Sequence, residues 1–315
     1  MYDDNNNEKE QIDEIDKADN LVGRSINKYK IIKYINSGSF GNVYEVINKK
    51  SNEFFAIKIP VISEERNGQK MLIDEGKIYK ILSNPSKGIP NVKMISYYNK
   101  KLMVMDLLGA SLDTLFQKCN RRFSLQTVIK LAIDMIDILQ YIHYHGYIHR
   151  DLKPDNFTIG NQFKDKIYCI DFGLAKKYIN KSGEHIPFID SKKFCGTAKY
   201  ASLAAHYNYE QSRKDDLESI VYILVYFYHG KLPWSNIKIK DKKKRYQKIK
   251  NEKEKYTANE LCSGMPREFI VFLDYIKTMS FDEKPPYNSF KKMFIRLYNK
   301  NNYKDNLYDW ERNNF

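Results

Sequence analysis

The stretch "YIHRDLKPDNF", residues 147–157, sets the tightest limit on how this chain can fold. An apolar pattern with helical period ends just before it, and an apolar, strand-like run follows soon after. Between them stand His149, Arg150, Asp151, Lys153, Asp155 and Asn156, gathered around Pro154. Charged and amide groups placed between buried elements are costly to desolvate unless something pairs with them. Any fold of this sequence must hold these side chains against one another or against a ligand.

The flanking patterns fix the architecture around that stretch. Over 29–106, the segments "KIIKYI", "GNVYEVI", "EFFAIKI" and "KLMVMD" carry β-branched and aromatic residues bounded by Gly, Asn and Lys turns, which predicts strands. One helical piece, at 71–82, interrupts them. Past Gly109 the period changes. Ser124 reads as an N-cap, followed at helical spacing by Leu125, Val128, Ile129, Ala132, Met135, Ile136, Leu139 and Ile142. Gly146 reads as the stop. "SIVYILVYFY", at 219–228, is apolar all round and predicts a buried helix. The expectation is an α+β, bilobal chain, with a strand-rich N-lobe at 28–105 holding one main helix and a connection at 106–109. A helical C-lobe at 110–312 and a short end at 313–315 complete it, with a ligand cleft between the lobes.

Charge separates a tail from this core. Residues 1–20 carry eight acidic and two basic side chains, a net −6, so the remainder holds +20 of the overall +14. The acidic, Asn-rich start has few apolar residues, and residues 1–27 are expected to form a disordered tail. A strongly basic folded part points to an anionic partner: nucleic acid, an acidic membrane surface, or an acidic or phosphorylated protein. No signal-peptide pattern opens the chain, and its longest apolar run is too short to span a bilayer. The four cysteines, Cys119, Cys169, Cys195 and Cys262, show no CxxC spacing and fit reduced thiols better than a disulfide framework or zinc site. A cytoplasmic monomer, with the nucleus as a second location, is the expectation.

The central stretch matches the pattern H-R-D-L-x-x-x-N of the protein-kinase catalytic loop, and the rest of that signature follows in order. "SGSFGNV" (37–43) occupies a glycine-rich strand-turn-strand, "FAIK" puts Lys58 on the third strand, Glu75 falls in the N-lobe helix, and "DFG" (171–173) follows the strand-like "KIYCI". Five elements in the right order and context make a protein kinase the leading reading. The template assigns the roles. Ser37, Gly38, Ser39, Phe40 and Gly41 would cover the ATP phosphates with backbone N–H groups. Lys58, held by Glu75, would pair with phosphate, because an ammonium in an apolar strand needs a buried partner. Asp171 and Asn156 would ligate Mg²⁺. Asp151 would be the base toward the attacking hydroxyl, with Lys153 reaching the γ-phosphate. Ile35, Val43, Ala56, Ile170 and Thr158 would line the adenine site, gated by Met105, with Asp106, Leu107 and Leu108 as the hinge. His149 reads as a packed core residue, Asp216 as a structural acceptor for the catalytic-loop backbone, and Cys169 as a small buried hydrophobe.

"LLGASLDTLF", "HRDLKPDNF", "DFGLAKKY", "HIPF", "GTAKYASL", "EQSRKDDLES", "LPW", "GMPREF" and "YDW" together resemble the casein kinase 1 family of Ser/Thr kinases over nearly all the chain after the tail. Ala201-Ser202-Leu203 stands where most kinases carry Ala-Pro-Glu, a replacement characteristic of that family. The resemblance implies activity without an activation-loop phosphate and a preference for Ser or Thr downstream of acidic or phosphorylated residues. It places an anion site at Lys192, Lys199 and Arg245, with Lys199 replacing an Arg and so losing its planar fork. The chain departs from the family at Asn36 (first Gly of the glycine-rich loop), Ala204 (for Asn), Val221 (for Gly) and Thr158 (for Leu).

Two other classes remain open. A nucleotide-binding pseudokinase scaffold is left room by Asn36, against which stand Lys58, Glu75, Asp151, Asn156 and Asp171. A nucleic-acid or acidic-surface module draws only on charge. The basic stretch 238–257, containing "DKKKRYQKIKNEKEK", reads best as a solvated helix with some residues at the substrate site. Few aromatics stand there to stack bases, which disfavours direct nucleic-acid binding.

Overall fold

The structure is a computed structural model and describes residues 21–38, 41–60, 65–313 and 315. Residues 1–20, on which most of the tail reading falls, and Ser39 and Phe40 of the glycine-rich turn lie outside the described residues. The chain forms two compact units. The first runs to Leu108 and takes in Asp171–Gly173, and the second comprises Gly109–Ile170 and Leu174–Phe315. Among the described residues no helix is long and apolar enough to cross a membrane.

Unit 1 is a six-stranded antiparallel sheet in the order β1-β2-β3-β4-β6-β5. Its strands are β1 (Ser25–Ile26), β2 (Tyr29–Gly38), β3 (Gly41–Asn48), β4 (Phe54–Ile59), β5 (Val92–Tyr97) and β6 (Lys100–Asp106), with helix α1 (Glu65–Leu82) between β4 and β5. Residues 21–27, grouped above with the acidic tail, belong to this unit. Leu21 and Ile26 are buried in its core and β1 pairs with β2, because Leu21 and Ile26 supply apolar surface that the acidic stretch lacks.

Register divides the sheet into two faces, since side chains alternate along a strand and directly paired residues share a face. Tyr44 pairs with Ile57, and Ile57 with Val104, and these residues join Tyr29, Ile31, Val46, Ile59 and Leu102 in one apolar cluster. The opposite face carries Val43 across from Lys58, Lys58 across from Met103, and Ala56 across from Met105. Helix α1 packs on β5 and β6. Lys58 is thus placed by strand parity on the non-core face, where Glu75 of α1 meets it.

Unit 2 is mainly helical: α2 (Leu112–Lys118), α3 (Leu125–Tyr144), α4 (Leu203–His206), α5 (Arg213–His229), α6 (Lys242–Glu254), α7 (Ala258–Leu261), α8 (Arg267–Thr278), α9 (Tyr287–Lys300) and α10 (Asp309–Arg312). Helix α3 begins at Ser124, whose hydroxyl accepts the Thr127 N–H, and it ends before Gly146 at φ 81°. It packs on α5 and α9, and α5 is buried from Asp215 to Phe227. Asp309 takes the Ser124 N–H at 2.6 Å and hydroxyl at 2.7 Å, and Trp310 is fully buried, which ties the chain end to the start of α3. Short strands β7 (Leu108–Ser111), β9 (Phe157–Gly160) and β10 (Ile167–Cys169) form one small sheet, and β8 (Tyr147–Ile148) pairs with β11 (Lys176–Lys177). These strands bracket the 149–156 stretch and fix where it begins and ends. In the basic stretch, α6 is solvated on most sides and carries the pairs Lys248–Glu252 at 3.0 Å and Lys250–Glu254 at 3.8 Å.

Candidate active site

In unit 1 the Lys58 ammonium lies 2.8 Å from Glu75 and 3.7 Å from Asp171. Lys58 is 5% exposed and Glu75 1%, so this is a buried pair and not a surface salt bridge. Burial alone would push the Lys58 pKa down, but the charges of Glu75 and Asp171 outweigh it and hold it above the ordinary lysine value. Asp171 has φ 66°, uncommon for a residue with a side chain, and its N–H donates to the Tyr79 hydroxyl at 3.1 Å. The Tyr79 and Phe172 rings stand edge to face at 5.0 Å, which anchors the residue after Asp171.

Gly38 and Gly41 close the glycine-rich turn as paired residues. A Cβ on Gly41 would come within 2.4 Å of the Ile59 carbonyl oxygen, so this glycine is required by the sheet as well as by any phosphate. Asn36 is not in the left-handed region, and its side-chain oxygen accepts the Ser37 N–H at 2.8 Å. The backbone there does not call for glycine. Ile35 is exposed, whereas Val43 and Met105 are half-buried and Ala56 is buried. Asp106 donates its N–H to the Asn91 carbonyl at 3.1 Å and accepts the Asn91 N–H on its carboxylate at 2.8 Å, so the expected hinge starts from a tethered residue.

In unit 2 the polar groups of the 149–156 stretch meet protein partners. Arg150 has φ 67°, and Asp216 at the start of α5 holds the loop in that shape. One carboxylate oxygen of Asp216 accepts the His149 N–H at 2.7 Å, and the other accepts the Arg150 N–H at 2.9 Å. His143 donates Nε2–H to Asp216 at 2.8 Å and takes the Tyr287 hydroxyl on Nδ1 at 2.6 Å, a neutral tautomer that satisfies both partners. Burial pushes the His143 pKa below the ordinary histidine value. His149 is fully buried, with its ring on the Ile170 carbonyl at 3.1 Å and accepting the Asp151 N–H at 3.3 Å, a packing role as expected.

Asp151 is 7% exposed. The Thr197 hydroxyl donates to its Oδ1 at 2.7 Å, and the Lys153 ammonium lies 3.3 Å from its Oδ2. Asn156 donates its side-chain amide to the Asp151 carbonyl at 2.9 Å, which leaves the amide oxygen as its cation-binding end. Gly196 has φ 107°, and a Cβ there would come within 2.5 Å of the Arg150 carbonyl oxygen, so only glycine lets the 196–197 segment lie against the loop. Thr197, Gly196 and His143 were not singled out from sequence. Their partners lie 46 to 144 residues away, and no local pattern announces them. Thr158 is buried on β9, with its hydroxyl bonded to nothing. Ile170, half-buried after β10, gives its N–H to the Asn156 carbonyl at 2.9 Å.

Two of the three residues expected to bind an anion share a cavity. Lys199 and Arg245 line one cavity of about 360 Å³ together with Thr197, Trp234 and Tyr246. The Lys199 ammonium sits 3.6 Å above the Tyr226 ring, and burial pushes its pKa down to about 8. Lys192 is not among the lining residues, because buried Glu210 draws it to 3.3 Å and Lys176 to 2.8 Å. Ser202 caps α4 by accepting the Ala205 N–H at 3.1 Å, and Glu218 of α5 accepts the Leu203 N–H at 3.0 Å. Glu218 therefore ties down the Ala-Ser-Leu segment that carries no acid of its own.

A family model of the protein kinase domain matches residues 29–295. The match takes in the glycine-rich turn, the Lys58–Glu75 pair, the 149–156 loop and the Asp171–Gly173 segment described above, and the chain belongs to the protein kinase family.

Proposed function

We propose that the protein is a Ser/Thr kinase of casein kinase 1 type, transferring the ATP γ-phosphoryl group to hydroxyls in acidic or already phosphorylated proteins. The observation that carries this reading is the setting of Asp151, with Thr197 on one carboxylate oxygen and Lys153 facing the other. Each oxygen has two acceptor positions, so these contacts fix the carboxylate and leave capacity to orient an incoming hydroxyl and take its proton. Lys153 then stands beside the acceptor oxygen where phosphate charge would be transferred. Lys58, kept charged by Glu75, binds the non-transferred phosphates of ATP. Asp171 offers a carboxylate and Asn156 an amide oxygen, each a ligand type that suits Mg²⁺, which takes few protein ligands alongside phosphate and water. The metal, when bound there, offsets phosphate charge. Val43, Ala56 and Met105 of unit 1 receive adenine in this reading.

Two features support the finer specificity. The Arg150 side chain donates from Nε to the Leu174 carbonyl at 2.8 Å, which employs the loop arginine without an activation-loop phosphate and agrees with constitutive activity. The cavity lined by Lys199 and Arg245 offers two cations to an acidic or phosphorylated substrate residue. The test is transfer from [γ-³²P]ATP to casein, followed by phosphoamino-acid analysis. Label on phosphoserine and phosphothreonine is expected. Label on tyrosine alone, or none, overturns the proposal.

A further inference from the structure

Lys253 closes helix α6 with a fully buried ammonium, although the rest of that helix, apart from Ile249, faces outward or only half inward. It is 2% exposed. Burying an ammonium costs far more than burying an apolar side chain of the same length, so the site must give something back through the groups it binds. Nζ donates to the Ala198 carbonyl at 3.0 Å and to the Ala201 carbonyl, and lies 4.6 Å from the Tyr222 ring centre and 5.1 Å from that of Trp234. In either protonation state the nitrogen keeps enough N–H donors for both carbonyls.

The same short segment is held from two more sides. His206 of α4 donates Nε2–H to the Ala198 carbonyl at 3.0 Å, and the Trp234 indole donates to the Lys199 carbonyl at 2.7 Å. Within the segment, the Tyr200 and Ala201 N–H groups both reach the Thr197 carbonyl at 2.9 Å. Three side chains from separate elements thus fix the carbonyls of residues 198, 199 and 201, immediately after the threonine whose hydroxyl holds Asp151.

We infer that Lys253 is the positioning residue of the phosphoacceptor site: by clamping Ala198 and Ala201 it sets both the Thr197 hydroxyl on Asp151 and the wall of the adjoining cavity that carries Lys199. The inference rests on the kinase reading above and names a residue that touches neither ATP nor acceptor. A small displacement of a positioning group costs rate steeply, up to about 100-fold for roughly 1 Å.

The experiment compares the full-length wild type with Lys253→Met, which keeps length and removes the donors. With an acidic peptide as acceptor, kcat/KM should fall about 10- to 100-fold, with KM for ATP within about twofold of wild type. Hydrogen exchange at residues 197–203 should quicken while the Lys58–Glu75 region stays as protected as in wild type. Trp234→Phe, which removes a single donor and keeps a ring, should shift the same two readouts less, and it decides the question if Lys253→Met fails to fold. Wild-type peptide kinetics and wild-type exchange at 197–203 in the variants overturn the inference. A wild-type protein that transfers nothing to casein or peptide overturns the kinase reading instead, and exchange at 197–203 then still tests the clamp.

Discussion

Replacing Asp216 by Asn tests the catalytic loop at its support without touching a reacting group. Three donors converge on this carboxylate, the His149 N–H at 2.7 Å, the Arg150 N–H at 2.9 Å and His143 Nε2–H at 2.8 Å. Asparagine offers one oxygen and one NH₂. With its oxygen turned to His149 and His143, the Arg150 N–H faces another donor, and an unsatisfied buried donor costs about 1–3 kcal/mol. The two surviving bonds lose their charge assistance, so the sum is roughly 2–4 kcal/mol. At about 2–4 °C per kcal/mol for a chain of this size, the unfolding midpoint should drop by roughly 4–16 °C. Arg150 at φ 67° would no longer be held, so kcat should fall about 100-fold, whereas ATP affinity should hold. Circular dichroism melts and steady-state transfer at pH 7.5 read both effects. Burial alone would raise the Asp216 pKa, but the hydrogen bonds it accepts from His143 and from the His149 N–H hold it below the usual carboxylate range. Its contribution is therefore fully present above about pH 4 and is lost as pH falls through the folded-state pKa, so the gap between wild type and variant should close only in acid. A variant that melts within 1–2 °C of wild type, roughly the scatter of such measurements, and turns over normally would refute this account of the loop.

Asp151→Asn should cut kcat steeply with ATP affinity retained, and Asp171→Asn should abolish transfer while the melt stays near wild type; isothermal titration with MgATP and a transfer assay separate the two roles. Thr158 buries a hydroxyl that bonds to nothing, so the near-isosteric Thr158→Val should stabilise the protein by about 1 kcal/mol, and a lowered midpoint would count against that. Burial raises the Asp134 pKa to about 6 even though the Tyr308 hydroxyl donates to it. A raised carboxyl pKa means that the folded state binds the extra proton, so stability from this group falls as pH rises from about 4 to about 6 and stays low above that. Asp134→Asn should then raise the midpoint at pH 7.5 and leave it unchanged near pH 4, and a midpoint unchanged at both would refute the sign.

Much of the fold was legible because apolar period and punctuation agree with tertiary packing. The strands expected at 30–35, 41–47, 53–59 and 101–106 lie on β2, β3, β4 and β6, and α3 starts at its predicted cap. Strand β5 was missed, since "VKMISY" is mixed in polarity and its burial comes from pairing with β6. Helix α1 begins at Glu65 and not near residue 71, because its first turns, "ERNGQK", carry no apolar stripe to detect. Helix α5 likewise starts at Arg213, six residues before its apolar run, since Asp215, Asp216 and Glu218 are buried by hydrogen bonds and not by hydrophobicity. At the site, motif residues were readable one by one, but what fixes them was not. Thr197, His143 and Gly196 act through partners distant in sequence. Lys253 sits inside a run whose composition reads as a solvated face. Lys192 stands outside the cavity of Lys199 and Arg245, and a motif position cannot reveal that its ammonium lies 3.3 Å from a buried carboxylate, Glu210.

The central claim is that Asp151, set by Thr197 and Lys153, drives phosphoryl transfer to protein hydroxyls. Its most direct measurement is the initial rate of ³²P incorporation into casein from [γ-³²P]ATP by wild type and Asp151→Asn side by side, with MgATP binding measured on the same preparations. Time-dependent label on serine and threonine in the wild type, lost in the variant while both bind MgATP alike, is the result predicted. Equal incorporation by both proteins, or MgATP binding with no incorporation by either, would contradict it.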